Sequence, residues 1–182
     1  MEELSMHILD IVENSTRAGA HLVRVAIEES SAEDRLTIKI EDDGAGMSKE
    51  LCAKVLDPFF TTKTVRRVGL GLPLIAQAAH TSGGDFTIES QEGKGTRITA
   101  VFRLSHIDRQ PLGRMADTVI AMIAGNPLVD FCYSHKSDQG SYSLDTREIR
   151  KVLGDVPIHH TEVLMFIKNS IHEALIEIDA EP

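Results

Sequence analysis

Apolar residues near the start of the chain recur at helical spacing: Leu4, Ile8, Ile11 and Val12 share one side at about 100° per residue. Asp10 and Asn14, four apart, stand one above the other on the opposite side, with Glu13 about 60° further round. The period then changes to two. HLVRVAIEE and DRLTIKIEDD each alternate apolar and polar residues around the turn-like ESSAED, which predicts a β-hairpin after the helix. KELCAKVLDPFF reads as a short helix stopped by Pro58, and LPLIAQAA as a helix closed by SGG. DFTIES and TRITAVFRL alternate again as two strands around QEGKG.

Near Ser105 the pattern breaks into the polar SHIDRQPLGR, with Pro111 and Gly113. A boundary is expected there, dividing residues 1–104 from a small α+β unit at 105–182 that resembles no family. In the second part, RMADTVIAMIAG predicts a helix, LVDFCYSH and SYSLD two strands, and TREIRKVLG a short helix with Asp145 as N-cap. From Thr161 to Ile178 a broad apolar arc, including Phe166 and Ile171, needs a partner surface, either the first domain or a second copy of the chain. The expected class is α+β, a two-layer sandwich of helices on one face of a mixed or antiparallel sheet.

With 182 residues, 42% of them hydrophobic, the chain can bury a real core. Acidic residues outnumber basic ones 28 to 19, and no Lys/Arg cluster offers the footprint that nucleic-acid binding needs, so DNA and RNA are not expected partners. Cys52 and Cys132 have no CxxC spacing, there is no basic-then-apolar leader, and no apolar run is long enough for a membrane span. A soluble cytoplasmic protein without membrane contact is expected.

Two short stretches carry candidate chemistry. At a strand end, DDGAGM sets Asp42 to accept a hydrogen bond from an exocyclic amine, while Gly44 and Gly46 allow a turn and close backbone approach to a flat ring. An ordinary Asp/Gly turn reads the same way. Farther on, Gly69 and Gly71 precede a helix, where free N–H groups and the helix's partial positive charge suit phosphate. Thr61, Thr62 and Lys63 would add hydroxyls and a cation.

Taken together and in this order, the stretches resemble the ATP-binding fold shared by DNA gyrase, the Hsp90 chaperone, sensor histidine kinases and MutL, the GHKL or Bergerat superfamily. DIVENSTRAGA is similar to its N box, with a MutL-like flavour; DDGAGM to the G1 box; DPFFTTK to the F box; VGLGL to the G2 box; and EGKGTRITAVF to the closing strand pair of histidine kinases. The resemblance spans residues 3–104. It implies a histidine-kinase-like domain that binds ATP and Mg²⁺, with Asn14 reaching the metal and Asp10, on the same face, as general base. Glu13 is the alternative base, since histidine kinases often carry the acid directly before the Asn. It also places Asp42, Gly44, Gly46, Thr61, Thr62, Lys63, Gly69, Leu70, Gly71, Leu72 and Thr96 around the nucleotide. Two departures stand out: Arg67 occupies a position where these kinases usually have glycine, and Thr64–Val68 is short for an ATP lid. Arg66 and Arg67 read equally as phosphate contacts or as exposed lid charges.

The N-box helix lies so early in the sequence that no upstream phosphoacceptor hairpin is expected. His7 is expected to be exposed or bonded locally. His80, His135, His159, His160 and His172 are expected at the surface, with no metal site at Cys132 and His135. Two functions follow from the resemblance: phosphoryl transfer to an unidentified protein in trans, or a MutL- and gyrase-like switch in which ATP binding and hydrolysis control a partner. A homodimer through the last helix is one expected arrangement.

Overall fold

The computed structural model describes residues 3–56 and 71–181. Its elements are α1 (Leu4–Arg17), β1 (Leu22–Ser30), β2 (Arg35–Asp42), α2 (Lys49–Lys54), α3 (Gly71–Thr81), β3 (Asp85–Gln91), β4 (Gly95–Arg103), α4 (Met115–Gly125), β5 (Asp130–Lys136), β6 (Ser141–Asp145), α5 (Thr146–Leu153) and α6 (Thr161–Glu177). Each lies where the periodicity predicts it. Asp145 caps α5 as expected, accepting a hydrogen bond from Arg147 N at 2.9 Å.

The strands form one six-stranded sheet in the order β3-β4-β2-β1-β5-β6. Every pairing is antiparallel except β1 with β5, which run parallel from Leu22 opposite Asp130 to Glu28 opposite Lys136. Val23, Val25, Ile27, Ile38, Ile40, Ile98, Ala100, Phe131 and Tyr133 turn inward, and α1, α3, α4 and α6 cover that face. Arg24, Lys39 and Arg97, on the alternate positions, point to the open face. The helices bury their apolar stripes in return, α1 through Leu4, Ile8, Ile11 and Val12, and α6 through Ile167, Ile171 and Leu175.

The boundary expected near residue 105 falls inside this architecture. Residues beyond it add β5 and β6 to the sheet of the first hundred, and Leu112, Met115, Val119, Phe131 and Ile171 share one apolar core with Ile8, Val23 and Ile38. A polar Pro/Gly-containing stretch marks a connection, but a parallel strand pair requires a long crossover, and SHIDRQPLGR with α4 supplies it. Part of the broad arc of α6, through Ile167, Ile171 and Leu175, is covered inside the chain by α4 and β6, while Met165, Phe166 and Ile176 stay exposed.

Two histidines also differ from expectation. His7 is buried, and its Nε2 lies 3.1 Å from Gln110 Oε1, because the connection covers the first turn of α1: Leu4 N and Ser5 N donate to Pro111 O and Leu112 O. His135 is wholly buried on the inward side of β5, 2.7 Å from the Tyr133 hydroxyl and 2.6 Å from Glu29. Burial, with the charge of Glu29, pushes the Tyr133 phenol well above its ordinary value, so it keeps its proton. With that phenol donating to Nδ1, Nε2–H donates to Glu29, and all three groups are satisfied. His80, His159, His160 and His172 are exposed.

Candidate functional site

The end of β2 meets the second half of α1 at one end of the sheet. Asp42 is the last residue of β2, and both its oxygens are engaged: Ser15 Oγ donates to Oδ2 at 2.6 Å, and Gly44 N donates to Oδ1 at 2.9 Å. Each oxygen keeps a further lone pair for a ligand donor. Ser15 is a residue the motif reading passed over, although the signal was present. Four residues after Ile11, it continues the apolar stripe of α1, where a buried polar side chain needs a partner. Asp43 serves the fold instead. Its Oδ1 accepts from His21 N and Leu22 N at 2.7 and 2.9 Å, and although burial pushes its carboxyl up, these backbone bonds outweigh it and hold the group below its usual range.

The loop after Asp42 is pinned under the β3–β4 turn. Gly44 sits so close to α1 that a Cβ there would lie 3.0 Å from Asp42 Oδ1 and 3.1 Å from Ala18 O. Gly46 adopts φ +66°, and a side chain there would run into the Gln91 carbonyl. Its missing side chain is thus spent on the neighbouring turn. Gly93 N donates to Ala45 O at 2.7 Å and Met47 N to Ser90 Oγ at 2.8 Å. Thr96, partly buried, lies directly opposite Asp42 in the β2–β4 register.

On α1, Asp10 and Asn14 share the solvent side one turn apart, Asp10 exposed and Asn14 half-buried. Gly71, the first described residue of α3, packs against Asp10: a Cβ there would be 3.0 Å from Asp10 Cβ. Leu72 follows, half-buried at the edge of the core. Glu13 points elsewhere and pairs with Arg17 at 2.8 Å on the exposed side of the helix. One end of the sheet therefore gathers Asp10, Asn14, Asp42, Gly44, Gly46, Gly71, Leu72 and Thr96. Thr61, Thr62, Lys63, Gly69 and Leu70, with Arg66 and Arg67, lie outside the described residues.

Among the described residues no group of three or more His, Cys, Asp or Glu could hold a metal ion by protein ligands alone. The oxygen donors near Asn14 suit a hard cation that takes most of its ligands from water and phosphate, as Mg²⁺ does. Two cavities are lined by described residues: one of about 440 Å³ at the end of the sheet, where Asp42, Ser90 and Thr96 meet Arg24, Glu41 and Arg97, and one of about 340 Å³ on the open side, beside Lys39 and Ser134. No helix among the described residues is long and apolar enough to cross a membrane.

Known proteins share parts of this sequence and fold. Over 117 residues the chain is 31% identical to the sensor histidine kinase WalK of Bacillus subtilis, covering 60% of this chain and 19% of that protein. Over 105 residues it is 32% identical to the signal transduction histidine-protein kinase AtoS of Escherichia coli, covering 57% and 17%. The chain thus spans less than a fifth of either relative. Among solved structures, the N-terminal domain of a DNA repair protein matches 87% of this chain and 59% of its own, with TM-score 0.57 and 14% identity. The Aquifex aeolicus MutL ATPase domain, solved with ADP, matches 84% of this chain and 69% of its own, with TM-score 0.53 and 17% identity. Sequence likeness to the kinases covers little more than half the chain, whereas the shared fold extends well beyond it. Residues 2–106 match the family described as histidine kinase-, DNA gyrase B-, and HSP90-like ATPases, and with more than half of its length matched, the chain belongs to that family.

Proposed function

We propose that the protein binds ATP with Mg²⁺ between α1, the end of β2 and the start of α3, and transfers the γ-phosphoryl group to a protein partner in trans. The observation that carries this reading is the contact between Gly71 and Asp10, which sets the start of α3 beside the face of α1 that holds Asp10 and Asn14. Asp42 takes the exocyclic amine of the base, with Gly44, Gly46, Leu72 and Thr96 around it. Asn14 supplies an amide oxygen to Mg²⁺, which when bound neutralises phosphate charge. Asp10, facing the same side, accepts the proton of the attacking hydroxyl or imidazole. Glu13 is the weaker choice, since Arg17 already engages its carboxylate. Thr61, Thr62, Lys63, Gly69 and Leu70 are assigned to the phosphates on sequence grounds, and the cytoplasm is the proposed location.

A second reading has its own support. The fold shared with the MutL ATPase domain continues through most of the chain, which favours a switch whose ATP-bound state is read by a partner or a second copy. Incubation with γ-labelled ATP, alone and with cell extract, separates the two. Label on protein supports transfer, and phosphate release alone supports the switch.

Substitutions on α1 test the assignment of roles. Asn14→Ala is expected to abolish Mg²⁺-dependent nucleotide binding. Asp10→Asn should leave binding nearly intact and lower turnover by about 10²- to 10⁴-fold, the range for a general base. Glu13→Gln should change turnover little, and a collapse there with Asp10→Asn active would exchange the roles of the two acids.

A further inference from the structure

Ser90, Thr96 and Asp42 stand in one row across β3, β4 and β2, paired in register, on the side of the sheet that α1 covers. A serine hydroxyl has one proton and two lone pairs. Ser90 Oγ accepts from Met47 N at 2.8 Å, donates to Gly95 O at 3.0 Å, and lies 2.9 Å from Thr96 Oγ1. Its own proton is committed to Gly95 and one lone pair to Met47, so its last lone pair takes the proton of Thr96. Thr96 is then left with lone pairs alone. Asp42 already accepts from Ser15 and Gly44 and likewise offers only acceptors.

Building on the nucleotide reading above, we propose that Ser90 is a specificity-determining positioning residue: by taking the Thr96 proton it fixes Thr96 as an acceptor beside Asp42, so that this wall of the site admits a base edge carrying an amine. A base edge of acceptors alone would set oxygen or nitrogen lone pairs against oxygen lone pairs and leave them unpaired, which a water-poor site penalises.

The test compares the dissociation constants of ATP and of purine riboside triphosphate, which lacks the exocyclic amine, by calorimetry with Mg²⁺. The wild type should prefer ATP. Ser90→Ala frees the Thr96 hydroxyl to donate, so the preference for ATP should fall about tenfold, one hydrogen bond's share. Ser90→Thr, which keeps a hydroxyl in place, should retain the preference. Thr96→Val gives an independent reading, because it deletes the acceptor while leaving the bonds of Ser90 to Met47 and Gly95: ATP should weaken and the amine-free analogue should not. An unchanged preference in Ser90→Ala, or equal weakening of both nucleotides in Thr96→Val, overturns the role of Ser90. A wild type that binds neither nucleotide overturns the ATP reading itself and this inference with it, whereas ATP binding with an unaltered preference overturns this inference alone.

Discussion

At the scale of single residues, the site depends on how its polar groups are already spent. Asp42 reaches a ligand with half its accepting capacity used, because Ser15 and Gly44 hold its carboxylate in one orientation. Asp42→Asn keeps the size but turns a donor toward the amine, and should cost about 1.5–3 kcal/mol of ATP affinity, the value of a hydrogen bond to a charged group. Ser15→Ala should cost less, about 1 kcal/mol, since it removes only the bond that orients the carboxylate. Calorimetry on the two variants checks both, and unchanged ATP affinity in Asp42→Asn would remove Asp42 from the site. The sequence made Asp42, Gly44 and Gly46 legible because a carboxylate and near-adjacent glycines at a strand end form a local pattern. It left Ser90 silent, since Ser90 acts through pairings with residues such as Met47, 43 positions away, that only the folded sheet creates.

At the scale of elements, periodicity was enough to place the helices and strands, because each segment carries its own alternation. What periodicity could not supply was the neighbour of each element. His135 alternates in phase with Phe131 and Tyr133, so its inward direction was readable from β5 alone, but its partner Glu29 sits on β1 and the pairing of β1 with β5 is not local. The junction between the β1–β2 turn and the end of β4 is another such case. Asp34, at φ 49°, accepts from Arg103 Nε at 2.7 Å and from Ser105 N and Oγ at 2.7 and 2.8 Å. The Arg103 bond first, then those from Ser105, hold its carboxyl at about 2, below an ordinary 3.8. Its pKa is lower in the folded state, so the stability it contributes is complete above 3.8 and disappears as pH falls from 3.8 toward 2. The carboxylate faces solvent, so the contribution is small and sensitive to salt. Denaturant midpoints of the wild type and Asp34→Asn should therefore differ near neutral pH and converge between about pH 4 and pH 2. A difference that stays constant across that range would mean that the charge of Asp34 contributes nothing.

For the molecule as a whole, the question is whether residues 105–182 form a unit that can be removed. A composition shift at Ser105 suggests one, yet β5 lies against β1 for seven paired residues and α4 packs against α1, the helix that carries Asp10 and Asn14. Removing everything after Ser105 would uncover the edge of β1 and take Leu112, Met115, Val119, Phe131 and Tyr133 out of the core that Leu4 and Ile8 share. At about 1.5–3 kcal/mol for each large apolar side chain left without cover, the loss is comparable with the whole net stability of an ordinary domain. The full chain should accordingly unfold in one cooperative transition, and a fragment ending at Ser105 should not hold a native fold. The tyrosines give a direct check. The chain has two, Tyr133 and Tyr142, and no tryptophan, so intrinsic fluorescence reports on β5 and β6 alone. Amide exchange in α1 reports on the other half. Coincident denaturant transitions by the two probes indicate a single core. Earlier loss of tyrosine signal while α1 stays protected, or a fragment 1–105 that keeps that protection, would show that the first half stands alone and that the strands added to its sheet are an appendage.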